Sequence, residues 1–226
     1  MPTYAPKLSQ ESRQQMLKKP PGQRVREIGH RGYVGGTDAE AWYGIGLRQY
    51  QFLIANGLRH DHTFLDVACG SLRLGQYLIP YLDEGRYCGL EGEESLVKAG
   101  LEHEVLYGLA QKKNPRFAIN YNFDLSSLPG FDFAIAQSLF THLTPDDIAK
   151  CFAGLAPRAN PGAVFFATYF EGDPRPDQDR ASHAQLGWRY RAETLAELGA
   201  RSGWQVARLG DWGHPRNQIM LRCVRD

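Results

Sequence analysis

The chain has 226 residues, with 26 Lys and Arg against 25 Asp and Glu, a formal net charge of +1 at pH 7 and a pI near 7.7. This length accommodates one domain with a substantial core, and the near-neutral charge lacks the excess of basic residues that is typical of nucleic-acid-binding modules. No apolar run reaches the roughly 20 residues of a membrane span. We therefore expect one folded domain, with no nucleic-acid partner and no membrane partner.

The cysteine and histidine patterns favour a reduced protein without a metal. None of the four cysteines belongs to a C-x-x-C pair, and the seven histidines form no H-x-x-x-H or H-E-x-x-H motif. Scattered thiols of this kind are typical of the cytosol rather than of a disulfide scaffold. The N-terminus also lacks the apolar core of a signal peptide. We expect a cytoplasmic protein with no metal site.

Residues 1–36 form a predicted N-terminal helical arm, followed by the main domain over residues 37–226. A short helical pattern around residues 9–17 is broken by the Lys-Lys-Pro-Pro-Gly run at residues 18–22. Residues 29–36 contain four glycines. They suit a flexible connector or, alternatively, a lid that carries three side chains into a pocket. Those side chains are His30, Arg31 and Tyr33.

The main domain alternates helical and strand patterns. Thr37, with Glu40 three residues later, predicts the start of a helix that runs to about Ala55. The later helices are predicted at residues 72–81, 93–110, 144–155 and 190–200, and the strands before Ala68 and at residues 87–91, 117–121, 131–137, 163–170, 204–209 and 218–224. The pattern predicts an α/β fold with a doubly wound, mostly parallel sheet of seven strands. The polar stretch at residues 171–187 is too long for an ordinary connection and suggests a functional or disordered loop.

A small-residue turn follows the first strand, and the second strand ends in an acid. Gly70 has no Cβ, which lets a ligand approach the backbone of this turn closely. Glu91 follows Asp66 by about the twenty residues that place a carboxylate next to both ribose hydroxyls. Residues 68–73 contain only one of the three glycines of the G-x-G-x-x-G fingerprint. The spacing therefore indicates an adenosine ligand and argues against NAD or FAD.

The run Leu65-Asp66-Val67-Ala68-Cys69-Gly70-Ser71 resembles the first motif of class I (Rossmann-like, seven-stranded) S-adenosylmethionine-dependent methyltransferases. The resemblance extends to residues 122–129, 131–138 and 213–218 and covers roughly residues 62–226. It departs from the family at Ala68 and Leu72, where glycine is usual. The resemblance implies S-adenosylmethionine as cofactor and S-adenosylhomocysteine as product.

The family's motif positions assign roles within the cofactor site. Asp66 would meet the ammonium group directly or through water, Glu91 would bind the ribose diol, and Asp124 would lie near the adenine. The other cofactor residues implied are Ala68, Gly70, Ser71, Gly92, Phe123, Leu125, Gln137 and Ser138. The alternatives are a solvated strand-end acid for Glu91 and an Asx turn or helix cap for Asp124.

The catalytic side is less defined, because an activated methyl group requires alignment more than an elaborate set of catalytic groups. His142 is the best candidate base, since the end of the fourth strand faces the acceptor in this fold; it would otherwise only bond the backbone. His214 is either a turn residue or part of the acceptor pocket. The predicted substrate contacts are Tyr33, Trp42, Tyr169 and His214, with Trp188 and Tyr190 as further walls and Tyr43 and Arg48 as second-rank candidates.

The resulting hypothesis is methyl transfer to a hydroxyl or amine of a small-molecule or saccharide-like acceptor, by a monomer or a homodimer. The Asn-Pro-Pro-Tyr motif of amide and base N-methyltransferases is absent, and residues 137–140 read Gln-Ser-Leu-Phe instead. Two alternatives remain open. One is a non-catalytic S-adenosylmethionine-binding partner or sensor, supported by Ala68 and Leu72. The other is a methyltransferase that acts on RNA or protein.

Overall fold

A central sheet of eight strands organises the protein, which is described by a computed structural model over residues 18–174, 182 and 187–225. The strands are β1 (Phe64–Val67), β2 (Tyr87–Glu91), β3 (Arg116–Ile119), β4 (Phe131–Ala136), β5 (Ala159–Glu171), β6 (Arg189–Tyr190), β7 (Trp204–Asp211) and β8 (Ile219–Arg225). The helices are α1 (Pro21–Ile28), α2 (His30–Tyr33), α3 (Ile45–Ala55), α4 (Gly75–Tyr81), α5 (Glu94–His103), α6 (Leu109–Lys113), α7 (Pro145–Leu155) and α8 (Ala192–Ala200).

The strand order is β3-β2-β1-β4-β5-β8-β7, and the short strand β6 pairs with β5 off this path. Neighbours from β3 to β5 are parallel, whereas β8 is antiparallel to both β5 and β7. The chain moves outward from β1 to β3 and then returns to β4 on the other side of β1. In such a sheet the crevice for ligands lies at the carboxyl ends of the strands, where the winding reverses. The doubly wound, mostly parallel sheet predicted from the sequence is confirmed.

Both faces of the sheet are covered by helices. Alternate residues of a strand point to opposite faces, and in β1 Leu65 belongs to one buried cluster while Phe64 belongs to the other. The first cluster includes Phe152 of α7 and Leu195 of α8, and the second includes Leu78 of α4. This burial explains the nearly continuous apolar runs of the central strands. Within the described residues, no helix has the length and apolar character of a membrane span.

Several helix boundaries differ from the sequence-based predictions. Helix α4 begins at Gly75 rather than Leu72, because Leu72 has a φ of 64° and cannot continue a right-handed helix. The helix predicted at residues 93–110 is two helices, separated near Gly108, which has a φ of 76°. Tyr190 belongs to β6, and α8 begins at Ala192. Backbone conformations with positive φ thus interrupt otherwise favourable helical patterns.

The N-terminal arm contains a helix that the sequence analysis did not predict. Pro21 begins α1, because the first helical position requires no N–H donor. Before α3, Glu40–Gly44 form a π-helical turn, and the side chain of Asp38, rather than that of Thr37, accepts the hydrogen bond from Ala41 N at 2.8 Å. The helical pattern at residues 9–17 and most of the loop at 171–187 lie outside the described residues.

Candidate functional site

The turn after β1 adopts a conformation that is unusual for its residues. Ala68, Gly70 and Leu72 have φ values of 59°, 56° and 64°. The left-handed region is natural for glycine and costs other residues about 1 kcal/mol or more. Ala68 and Leu72, the two departures from the family's glycines, therefore adopt the conformation that glycine favours. Leu72 is fully buried, so its packing holds the turn in place.

Similar backbone conformations recur along the same edge of the sheet. Of the six left-handed non-glycine residues in the described part of the chain, five lie in the loops at this edge, and the sixth ends α6. The five are Ala68, Leu72, Phe123, Ser138 and Asn217. Strained backbone persists where the surrounding structure enforces it, and it concentrates at functional sites. The cluster coincides with the crevice that the topology predicts for a ligand.

Glu91 ends β2 beside the turn. Its Oε2 accepts from Gly70 N at 2.9 Å, and its Oε1 accepts from Gly92 N at 2.9 Å and from Glu93 N at 3.1 Å. Burial raises the pKa of Glu91 above its usual value, although the three amides oppose the shift. Each carboxylate oxygen has about two lone-pair directions, so Oε2 can accept one more hydrogen bond. The carboxylate is thus fixed in position and still able to bind a donor such as a hydroxyl.

Asp66 lies one residue before the end of β1 and is almost fully buried. The Tyr87 hydroxyl donates to its Oδ2 at 2.8 Å. Burial raises the pKa of Asp66 to about 7; the hydrogen bond from Tyr87 lowers the pKa but does not compensate. A nearby ammonium group would favour the charged carboxylate. The geometry therefore suits a group that ionises when a cation binds.

The loop after β3 is held by the side chain of Asn120. Its Oδ1 accepts from Asn122 N at 3.2 Å and from Asp124 N at 3.0 Å, and its Nδ2 donates to Asp124 O at 2.9 Å. These bonds stabilise the left-handed conformation of Phe123. Asp124 itself is exposed, and its Oδ1 accepts from Ser126 N at 2.8 Å, which is the Asx turn of the second interpretation. The contact of Asp124 with the adenine stays a prediction.

Gly92 follows Glu91 and packs under an aromatic ring. A Cβ at Gly92 would lie 2.2 Å from Cε1 of Tyr121, so only glycine fits there without moving the ring. Tyr33 lies on the same side of the site: burial raises the pKa of its hydroxyl, and Tyr121 and Glu91 add to the effect. The guanidinium of Arg24 lies 5.0 Å from the centre of the Tyr33 ring. The Tyr33 ring is therefore half-buried beside the Arg24 guanidinium.

A polar network follows β4. The Gln137 amide donates to Ser138 Oγ at 2.6 Å, and the Gln218 amide donates to the same oxygen at 2.7 Å. Thr168 accepts from Ser138 N at 2.7 Å and donates to Gln218 Oε1 at 2.8 Å. Gln137 Nε2 also lies 3.2 Å from His214 Nε2. The network joins the ends of β4, β5 and β8 into one polar wall.

His214 is buried and neutral. Burial lowers the pKa of the imidazole to about 4, and the nearby guanidinium groups of Arg216, Arg73 and Arg48 add to the effect. Arg216 N lies 3.2 Å from its Nδ1, and the amide nitrogen of Gln137 lies 3.2 Å from its Nε2. His214 is therefore a turn residue that also belongs to the polar wall, where its ring is neutral at pH 7.

Residues 29–36, which we call the covering segment, pack over the turn after β1. Ser71 Oγ donates to His30 O at 3.3 Å, and the Arg73 guanidinium donates to Val34 O. A Cβ built on Gly70 would lie 3.1 Å from Cγ1 of Val34. The covering segment therefore lies directly over the turn after β1.

The covering segment is anchored by Glu104, whose side chain is only 2% exposed. Glu104 accepts from His30 Nε2 at 2.7 Å, from Arg31 Nε at 2.6 Å and from Trp42 Nε1 at 3.1 Å. Burial opposes ionisation, but these hydrogen bonds outweigh it and lower the pKa of Glu104 to about 2. His30 and Arg31 thus point to Glu104.

The remaining candidates occupy different environments. Trp42 is fully buried between the guanidinium groups of Arg31 and Arg73, at 5.2 and 5.3 Å from its ring centre. Tyr169 is fully buried, and its hydroxyl donates to Glu171 Oε1 at 3.0 Å. His142 lies half-buried in the turn between β4 and α7, where its backbone N–H donates to Leu139 O at 2.9 Å. Their roles in substrate binding and proton transfer stay predictions.

The structure brings the predicted cofactor residues together at or just beyond the carboxyl ends of the first four strands. They are Asp66, Ala68, Gly70, Ser71, Glu91, Gly92, Phe123, Asp124, Leu125, Gln137 and Ser138. Sequence reasoning missed Tyr87, Asn120, Thr168 and Glu104 as supporting residues. Thr168 is a polar residue in the apolar run of β5, which is a usable signal. Glu104 has none, because its partners are 62 to 74 residues away.

Helix α5 supports the turn through a glycine, which makes Gly100→Ala informative. A Cβ at Gly100 would lie 2.7 Å from the carbonyl carbon and oxygen of Ser71, so either the helix or the turn must shift. Overpacking costs about 1–3 kcal/mol, more than the roughly 1 kcal/mol that alanine gains in a helix. We expect S-adenosylhomocysteine affinity to fall about tenfold by calorimetry. The exposed Glu102→Ala on the same helix is the control, and equal affinities would show that the turn does not depend on this contact.

No protein-family model matches the chain. Solved structures do match its fold. Magnesium protoporphyrin IX methyltransferase (ChlM) from Synechocystis PCC 6803 with bound SAM has a TM-score of 0.62 at 17% identity, over 92% of this chain and 98% of that one. The DhpI–SAH complex also has a TM-score of 0.62 at 17% identity, over 90% and 92%. The glycopeptide N-methyltransferase MtfA complexed with SAM has a TM-score of 0.61 at 14% identity, over 80% and 94%.

Proposed function

The chain has the fold of class I S-adenosylmethionine-dependent methyltransferases, and from this premise we propose that it is such an enzyme. Its acceptor is a hydroxyl or amine of a small-molecule or saccharide-like compound. The cofactor is S-adenosylmethionine, and S-adenosylhomocysteine is the product. The four cysteines are free and buried, which supports the cytoplasmic location expected of reduced thiols.

The observation that carries the proposal is the Glu91 carboxylate at the tip of β2. The amides of Gly70, Gly92 and Glu93 fix its position, and Oε2 keeps the capacity to accept a hydroxyl. Its place beside the turn after β1 is the place of the ribose-binding acid in a doubly wound nucleotide site. Solved structures of this fold are crystallised with SAM or SAH, as in ChlM and MtfA, which supports the same ligand here.

Cofactor binding requires room over Gly70. Val34 packs against this glycine, and Arg73 bonds the carbonyl of Val34, so the covering segment must withdraw for a ligand to reach the turn. Closure over the bound ligand would then exclude water from the reacting groups. The covering segment acts as the lid in this proposal.

S-adenosylmethionine supplies a methyl group that is already activated by the positive sulfur, so the chain's own residues mainly bind and orient. Asp66 would hold the ammonium group, and Gln137 and Ser138 would face the transferred methyl group from the end of β4. His142 is the proposed base, because a neutral imidazole can take a proton near pH 7. His214, which is buried and has a pKa lowered to about 4, would stay neutral rather than take a proton near pH 7.

Calorimetric titration with S-adenosylhomocysteine tests the cofactor site. We expect micromolar binding to the wild type and a loss of at least tenfold, about 1.4 kcal/mol, for Glu91→Ala. Glu91→Gln keeps one acceptor oxygen for the amides and separates a ribose effect from a collapsed turn. Glu84→Ala, at the exposed opposite end of β2, is the matched control. Absence of binding to the wild type would overturn the proposed function. Binding by both Glu91 variants with the affinity of the wild type would overturn the ribose contact.

Turnover distinguishes catalysis from the non-catalytic alternative. Radiolabelled S-adenosylmethionine is incubated with fractionated small-molecule extracts, and transfer of the label to a product is measured. Labelled small-molecule product supports the proposal. Tight cofactor binding with no labelled product in any fraction would instead support the partner or sensor interpretation, and label in RNA or protein would support the other alternative.

A further inference from the structure

Three arginines surround His214 at the acceptor side of the site. Arg216 donates to Gly35 O at 3.4 Å, and Arg73 donates to the neighbouring carbonyl of Val34. A Cβ built on Gly213 would lie 2.9 Å from Nη1 of Arg48, which places this third guanidinium next to the turn that carries His214. The cluster therefore joins α3, the segment after β1 and the turn between β7 and β8.

The cluster carries more positive than negative charge. Glu40 is 3.5 Å from Arg48, but the side chains of Arg48 and Glu40 are 40% and 64% exposed, so the pair is worth little. Asp66 interacts electrostatically with Arg73, and its pKa of about 7 leaves it only partly ionised at neutral pH. Burial lowers the pKa of Arg73 to about 10, with Arg216 adding to the effect, as expected where cations crowd together. An anion would relieve this repulsion.

Buried donors without a partner are also found here. Within the described part of the chain, Nε of Arg48, Nε of Arg73 and Nε1 of Trp212 are buried and have no hydrogen-bond partner. The Trp212 ring stacks on His214 with 5.3 Å between ring centres, so its indole belongs to the same cluster. Buried N–H groups in native proteins nearly always have an acceptor. Three unpaired donors in one cluster indicate an acceptor group that is supplied by a ligand.

The position of the cluster indicates which ligand supplies this acceptor group. His214 Nε2 lies 3.2 Å from the Gln137 amide, at the end of β4, whereas the proposed ribose acid Glu91 ends β2. On this basis, and resting on the proposed function, we propose that the methyl acceptor carries an oxyanion, a carboxylate or a phosphate, which Arg48, Arg73 and Arg216 bind. Guanidinium groups bind both kinds of oxyanion through paired N–H donors. The anion holds the acceptor while its hydroxyl or amine faces the methyl group.

The test uses the full chain saturated with S-adenosylhomocysteine, with inorganic phosphate and sodium acetate as separate probes at constant ionic strength. Ligands that bind the folded state raise the unfolding temperature in a saturable way. We expect a saturable rise with at least one probe for the wild type and for Arg201→Gln, an exposed control at the end of α8. Arg216→Gln should weaken the apparent probe affinity at least tenfold and leave S-adenosylhomocysteine affinity within twofold.

Four other outcomes would overturn the proposal. Absence of a saturable effect of either probe, or an equal effect in Arg216→Gln, would show that the cluster binds no oxyanion. Competition between probe and S-adenosylhomocysteine would assign the arginines to the cofactor's own carboxylate, as would a tenfold loss of cofactor affinity in Arg216→Gln. Binding of S-adenosylhomocysteine to the wild type is measured first, before any probe is added. Failure to bind at this step would overturn the proposed function itself.

Discussion

Glu104→Ala is expected to lower the free energy of unfolding by about 3–5 kcal/mol, the range for removing one partner of a buried ion pair. The side chain is 2% exposed and accepts from His30, Arg31 and Trp42. Alanine would remove the carboxylate from the Arg31 cation and from the N–H groups of His30 and Trp42 that donate to it. The same change would release the covering segment, which has its main anchor at Glu104.

Urea unfolding at several pH values checks this prediction. The folded-state pKa of Glu104 is about 2, below the ordinary 4.5, so its contribution is complete above pH 4.5 and is lost as the pH falls toward 2. The difference between wild type and variant should therefore shrink across that window. Hydrogen exchange should show faster exchange at residues 29–36. Glu102→Ala, with a side chain that is 74% exposed, is the control on the same helix; a difference below about 1 kcal/mol at pH 7 would contradict the expected anchoring.

Asp66→Asn is expected to raise stability at pH 8 by about 4 kcal/mol, and to weaken S-adenosylhomocysteine binding about tenfold. Burial raises the pKa of Asp66 from 3.8 to about 7. As the pH rises from about 4 to about 7, the unfolded chain loses this proton first, so ionisation favours unfolding and the penalty is complete above pH 7. Asparagine does not ionise, and its oxygen can still accept from Tyr87.

Denaturant unfolding at pH 5 and pH 8 measures the stability effect. The gain from Asp66→Asn should be larger at pH 8 than at pH 5, and Asp146→Asn, an exposed residue in the first turn of α7, should show no such trend. His214 titrates in an overlapping window with the opposite sign, because its pKa is lowered to about 4 and stability is lost as the pH falls from 6.5. In the pH profile of wild-type stability, the effects of Asp66 and His214 therefore partly cancel. An unchanged difference at the two pH values would contradict the buried state of Asp66.

Local patterns were sufficient to predict the centre of the site. The turn after β1, Gly70 and the acid Glu91 lie within one strand-turn-helix-strand unit, where spacing alone determines the geometry. Thr144 and Pro145 likewise predicted the start of α7, where the Thr144 side chain accepts from Asp147 N at 3.3 Å. In each case the residues that make the structure are near neighbours in the chain.

Features that depend on distant residues could not be predicted in the same way. The left-handed conformation of Leu72 is set by burial in the core, and it moved the start of α4 by three residues. Glu104 and the covering segment meet only through the tertiary fold. The polar wall joins Gln137, Thr168 and Gln218, which come from the ends of three strands. The motif at residues 213–218 is visible in the sequence, but the hydrogen-bond partners of Gln218 are not. Sequence separation, rather than composition, limited what could be inferred.

The position of β8 has a consequence for the order of assembly. It follows every other described strand in the chain, yet it lies inside the sheet between β5 and β7. A ribosome-bound chain in which β8 has not emerged can form β1 to β5 and the turn that holds Glu91, but it lacks Gln218, His214 and Arg216. The nucleotide half of the protein can therefore take shape during synthesis, whereas the half that would select an acceptor is completed only when β8 inserts. Such long-range pairing is slow, and the open edge of β5 is a point of risk for aggregation until then.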